Sequence, residues 1–291
     1  MSRGKSFTGS RSLGVLLALS FVLSTAAAQA HGDFHTLIAD TDKEIEKDPK
    51  NPALYLQRGE LYRIHQQYDS AQADIALAEA LAPALPSLDL ARGRLLFDTG
   101  WPLAARSHLD RFLKAMPNHV EALVLRSRVW TALGQPLYAA DDYSHAIFQT
   151  PEGAPDLYIE RAHSLASNGP DQIDAALRGL DDGIKRMGPL VTLQLTAIDL
   201  ELRRQNYDNA LARVDTVMAR SPRKETWLAR KGEIFLQAGR PDDAKQAYTE
   251  ALSALGTLPP ARRNVPAVAD LEARIRQELK QFAPGTAPPK P

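Results

Sequence analysis

Residues 117–151 read PNHVEALVLRSRVWTALGQPLYAADDYSHAIFQTP, a stretch that opens and closes on proline. The same interval of 34 residues, taken upstream, reaches Pro83 and then Pro49, so Pro49, Pro83, Pro117 and Pro151 are evenly spaced. A fixed period of this size marks stacked supersecondary units, none of which can bury its apolar face alone. Apolar residues on either side of Gly134-Gln135-Pro136 recur every three to four positions, the spacing of an amphipathic helix. Gly134 can take the left-handed conformation that ends a helix. Pro136 suits the first turn of the next, where its missing N–H is not needed. The stretch therefore reads as helix, turn, helix.

Counting forward from each proline shows which positions the packing constrains. Ten residues on stand Gly59, Gly93, Ser127 and, from Pro222, Gly232. Twenty-two residues on stand Ala71, Ala105, Ala139 and Ala244. Small side chains at these places let one helix sit close to its neighbour. Larger residues fill the space around them: Tyr62, Leu96, Trp130 and Phe235 on first helices, Ile75, Leu109, Tyr143 and Tyr248 on second helices. The turn recurs as Gly100-Trp101-Pro102 and Gly239-Arg240-Pro241, whereas Gln66-Gln67-Tyr68-Asp69 and Gln205-Asn206-Tyr207-Asp208 take its place elsewhere.

These residues resemble the tetratricopeptide-repeat family over about residues 49–256, in six units. Units beginning near Pro52, Pro86, Val120 and Glu225 are in register; the fourth, about Pro155 to Met187, carries insertions around Gly153 and Gly169. The fifth, about Leu190 to Pro222, keeps Ala210 but lacks the small glycine, and Asp89 stands where the family prefers a bulky apolar or aromatic residue. The resemblance implies an all-α fold, an α–α superhelix of about six helix-turn-helix units with a capping helix at each end. Residues 31–48 and 257–282 are the expected caps. Residues 283–291, rich in proline, are expected to be disordered.

In the family, first helices line a concave groove. Carried over by position, the groove residues are Leu56, Glu60, Arg63, Leu90, Arg94, Phe97, Val124, Arg128, Thr131, Glu233 and Leu236. Arginines among apolar side chains suit an extended peptide of acidic and apolar character. The Lys/Asn/Arg clamp by which some relatives hold a chaperone's C-terminal carboxylate is not matched: Leu56, Glu60 and Ala91 stand there. A ladder of bases (Arg58, Arg92, Arg126, Lys231, and Arg161 one step out of line) could form a basic stripe for an anionic polymer, but its repetition within units favours a copied packing role, paired with acids such as Asp74 and Asp142.

The chain opens with Arg3, Lys5 and Arg11 and no acid before Asp33, then an apolar run from Leu13 to Leu23 and small residues ending at Ala28-Gln29-Ala30. This predicts a signal peptide over residues 1–30 and a periplasmic or secreted protein. The run falls short of the roughly 20 residues that span a bilayer, and no later run approaches that length. Removing residues 1–30 leaves 32 basic against 35 acidic residues, without the basic excess of a nucleic-acid-binding surface. With no Cys, disulfides and thiolate chemistry are excluded.

Neither a glycine-rich phosphate loop nor a serine elbow nor an H-E-x-x-H helix is present, so the expectation is a non-enzymatic scaffold that needs no cofactor and binds a protein or peptide partner. The alternative is copper handling. Cleavage after Ala30 would leave His31 with a free amino group beside its imidazole, and His35 could join it. His65, His108, His119, His145 and His163 show no ligand spacing.

Overall fold

The computed structural model describes residues 34–282, so the expected leader, His31 and the proline-rich tail lie outside the described residues. Helix α1 occupies residues 34–47. Six helix pairs follow: α2 (Pro52–Ile64) with α3 (Tyr68–Leu81), α4 (Ser87–Asp98) with α5 (Pro102–Ala115), and α6 (Val120–Ala132) with α7 (Pro136–Phe148). Next come α8 (Pro155–Ser167) with α9 (Ile173–Met187), α10 (Val191–Arg203) with α11 (Tyr207–Arg220), and α12 (Glu225–Gln237) with α13 (Pro241–Gly256). The short α14 (Pro260–Arg263) and α15 (Pro266–Lys280) close the described residues, among which there is no strand.

Proline places many of these starts, at the first position of α2, α5, α7, α8 and α13. Asn51 caps α2 by accepting the Ala53 N–H at 3.1 Å, and His119 caps α6 through Nδ1. Five of the six intra-pair turns share one hydrogen-bond pattern. Trp101 N–H donates to the Leu96 carbonyl and Gly100 N–H to that of Phe97; the same two bonds recur at Gln135/Gly134, Arg240/Gly239, Gln67/Gln66 and Asn206/Gln205. This is the Schellman closure, which needs a left-handed residue. Gly100, Gly134 and Gly239 supply it at φ of 82°, 69° and 68°, and Gln66 and Gln205 are driven to 61° and 59°.

The fourth pair turns differently. A 3₁₀ turn at Pro170–Gln172 delays α9, which begins 18 residues after α8, where α2/α3, α6/α7, α10/α11 and α12/α13 begin 16 apart. With that delay allowed for, the close-approach alanine is regular in all six pairs. Ala71, Ala105, Ala139, Ala176, Ala210 and Ala244 are each the fourth residue of a second helix and each fully buried.

First and second helices also match each other by size. A methyl built on Gly232 would fall 2.6 Å from the Tyr248 ring, and one on Gly93 would fall 2.9 Å from Leu109. In the fifth pair the complement is reversed: Ile198 stands where the others have a small residue, the facing position is only Val214, and both are fully buried in one cluster. That pair is regular, and its missing glycine is balanced by a smaller partner.

The chain divides after Pro117 into two compact units, a boundary that falls between pairs. In the first unit, Ala71, Ile75, Ala78, Leu88 and Leu95 join α3 to α4, with Tyr55, Leu56 and Tyr62 of α2 packed on them. In the second, one cluster runs from Ala140 through α8 and α9 to Leu200, another joins α10, α11 and α12, and a third joins α12, α13 and α15.

Candidate functional site

In the first unit, α2 and α4 bring Glu60, Arg63, Arg94 and Asp98 together. Arg63 grips Glu60 through Nε at 2.9 Å and Nη2 at 2.7 Å and also reaches Asp98, while Arg94 lies 3.7 Å from Glu60. Burial works against the Glu60 charge, but Arg63 and then Arg94 outweigh it and hold the carboxyl below its ordinary range. The Glu60 hydrogen bond, with help from Asp98, raises the already high pKa of Arg63 against the opposing effect of burial. Leu56 and Phe97 are half-buried alongside, and Leu56 packs on the apolar cluster between the helices. Leu90 is buried in the core. Asp98 was not among the residues read from the sequence; it lies 35 positions from Arg63, and only the stacking of two pairs brings them together.

In the second unit, Val124 is half-buried on α6 and Arg128 is exposed, close enough to Tyr143 to act on its hydroxyl. Burial, then Glu160, pushes that hydroxyl above its ordinary value, and Arg128 partly opposes the rise. Thr131 is exposed, but its hydroxyl donates to the Ser127 carbonyl at 3.0 Å. On α12, Glu233 pairs with Arg230 at 3.0 Å and faces Arg274 of α15 at 3.6 Å, while Leu236 packs in the cluster shared with α13 and α15. The C-terminal helix thus meets Glu233 and Leu236 directly.

The basic ladder is structural. Arg58 forks onto Asp74 at 2.8 and 2.6 Å, and Arg126 onto Asp142 at 2.8 and 2.7 Å, both across their own pair. Where the residue 16 positions on is not acidic, the base turns to the preceding helix: Arg92 to Glu79, Lys231 to Asp215 at 2.8 Å, Arg161 to Ser144 at 2.6 Å. Asp89, out of place for a packing position, also has a structural partner set. It lies 2.7 Å from His108 Nδ1 and accepts from Arg111, and those two partners outweigh burial to keep its carboxyl below the ordinary value.

Of the two N-terminal histidines, only His35 is among the described residues. Its ring lies 5.7 Å from that of His65, a neighbour 30 residues away that sequence spacing does not reveal. Among the described residues, no three of His, Cys, Asp or Glu are grouped to hold a metal ion, and no helix is long and apolar enough to cross a membrane.

The tetratricopeptide repeat-like domain family matches residues 171–265, and two tetratricopeptide repeat families match residues 41–73 and 90–154. These are tetratricopeptide repeats. The longest match takes in α9 of the irregular fourth pair and the whole of the glycine-free fifth. The C-terminal part of a tetratricopeptide repeat-containing protein from Cytophaga hutchinsonii is similar in structure, with a TM-score of 0.62 and 15% identity over 83% of this chain and 95% of that one. A tetratricopeptide repeat protein from Parabacteroides merdae is similar at a TM-score of 0.50 and 18% identity, over 88% of this chain and 98% of that one. YrrB, described as a tetratricopeptide protein with an unusual peptide-binding site, is similar at 0.51 and 17% identity, over 66% and 97%. A search of curated proteins gave no match.

Proposed function

We propose that the protein is an exported scaffold that holds a protein or peptide partner against the first helices of its repeats. Tetratricopeptide repeats as a class mediate protein–protein interaction, and YrrB, of like fold, is described as binding peptide. The observation that carries the reading is the Glu60–Arg63–Arg94–Asp98 network beside Leu56 and Phe97. Its guanidinium groups are already ordered by carboxylates, so an acidic peptide exchanges one carboxylate for another and orders little that was mobile. Leu56 and Phe97 give its apolar side chains a surface to desolvate. Export is supported by the basic, apolar and small-residue succession of residues 1–30.

With a partner recovered by cross-linking from envelope extract, calorimetric titration tests the site. Arg94→Glu and Arg128→Glu are expected to weaken binding by about 1.5–3 kcal/mol each where the group is desolvated on binding, and Phe97→Ala to weaken it separately. Asp110→Lys, on second helix α5, is the control: a charge change of equal size and opposite sign. Because the peptide is acidic, a gain from Asp110→Lys as large as the first-helix losses would show that general charge drives association, whereas near-unchanged binding places the effect at the first helices. For export, the soluble form should begin at His31; an intact Met1 would overturn that assignment.

A further inference from the structure

We propose that the first unit carries a second docking site, a cavity that takes an arginine side chain from a partner protein. The cavity, of about 450 Å³, lies among α3, α4 and α5, and shares no lining residue with the first-helix site of Leu56, Glu60, Arg63, Arg94 and Phe97. Tyr68, Asp69, Leu96 and Trp101 are the lining residues that matter.

Trp101 is the first anomaly. It occupies the middle of a Gly-x-Pro turn where the other two such turns have Gln135 and Arg240, so the turn itself requires no aromatic residue. It is 65% exposed. Asp69 is the second. Its carboxylate has no ion-pair or hydrogen-bond partner among the described residues, whereas the other charged groups at the cavity are matched: Arg92 by Glu79, His108 by Asp89.

The second unit shows what this carboxylate is suited to hold. Asp208 is the second residue of α11 as Asp69 is of α3, and each follows a tyrosine. Arg240 precedes α13 as Trp101 precedes α5, and the same 32 residues separate the members of each pair. There Arg240 donates to Asp208 at 3.2 Å and to Asp243 at 2.7 Å, and its guanidinium lies 4.6 Å from the centre of the Phe235 ring. In the first unit the corresponding residues are Asp69, Ala104 and Leu96, and the arginine has become Trp101. One of the two acceptors, Asp69, has been kept, while the second acceptor, the ring and the donor have been replaced, and the space is flanked instead by two aromatic side chains, Tyr68 and Trp101.

An arginine supplied from outside restores the missing half. Its guanidinium forks onto Asp69 and stacks on the aromatic faces, which a lysine ammonium does less well. The site stands independently of the first-helix reading, since no residue is shared.

The test follows the indole N–H resonance of Trp101 in the full chain, assigned with Trp101→Gln, during titration with N-acetyl-Gly-Arg-Gly amide and its lysine and citrulline counterparts. The arginine peptide is expected to shift the resonance saturably at millimolar concentration, and the lysine and citrulline peptides to bind several-fold more weakly. Asp69→Asn should lower the arginine affinity by about five-fold, the size of an exposed charge pair. A ligand-free arm uses Trp101→Arg, which should raise the thermal midpoint when Asp69 is present and not alongside Asp69→Asn. An unmoved resonance, equal response to the three peptides, indifference to Asp69→Asn, or a midpoint gain independent of Asp69 would each overturn the proposal.

Discussion

Gln66 and Gln205 hold a conformation that glycine holds in three other turns, and the difference is a local strain the fold carries twice. A side chain in the left-handed region costs about 1–2 kcal/mol, while glycine loses about 0.5–1 kcal/mol more backbone entropy on folding. Gln205→Gly is therefore expected to stabilise the protein by about 0.5–1 kcal/mol, seen as a higher urea midpoint; a lower midpoint would mean that the glutamine side chain contributes something the turn geometry does not show. Gly232 is the opposite case, constrained by space. Its neighbour Tyr248 is fully buried and leaves a methyl no room, so Gly232→Ala should cost about 1–3 kcal/mol. The sequence made this position legible because small residues recur there. It could not show why Asp89 breaks the pattern, since His108 and Arg111 reach it from another helix.

Among elements, periodicity located the pairs, the fourth included, but the two residues added there hid its close-approach alanine. Ala176 went unread because the 3₁₀ turn before α9 displaces it from the count, not because its role differs: it is as buried as the other five alanines. Likewise the fifth pair, which has no glycine, looks irregular only when Ile198 is read alone. Its partner position, not its own identity, carries the explanation. Val214→Leu is accordingly expected to cost about 1–3 kcal/mol by overpacking against Ile198. Ile198→Ala alone should cost about 2–5 kcal/mol through the cavity it leaves. Combined, the two should cost less than their sum by at least 0.5 kcal/mol, because the added methylene enters the vacated space. Strict additivity in denaturant melts would mean that the two side chains do not share that space. The first-helix positions could be listed from the sequence, but not the ion pairs they make: Asp98 reaches Arg63 in the first unit, and Arg274 reaches Glu233 in the second, only through packing between elements distant in sequence.

For the whole molecule, the carboxyls and the tyrosines held away from their ordinary protonation fall on different sides of Pro117. Glu60 and Asp89, in the first unit, titrate below their ordinary values of 4.5 and 3.8. A depressed carboxyl stabilises the fold above its unfolded value, and that stability is lost as the pH falls through its folded one. Tyr143 and Tyr248, in the second unit, are pushed above 10.0, chiefly by burial. A raised tyrosine leaves the fold unpenalised below 10.0; stability then declines as the unfolded chain ionises and continues to fall as the pH rises towards the folded value. The first unit should therefore weaken first in acid, below about pH 4.5, and the second first in alkali, above pH 10. Trp101 reports on the first unit and Trp130 and Trp227 on the second, so fluorotryptophan labelling lets one sample follow both by fluorine NMR during thermal melts. Acid should lower the Trp101 midpoint ahead of the Trp227 midpoint, with the order reversed in alkali. Asp89→Asn should make the acid shift of Trp101 smaller, because one of the two responsible carboxyls is gone. If all three signals melt together at every pH, or the order is the same at both extremes, the stability of the two units is not governed by these four groups.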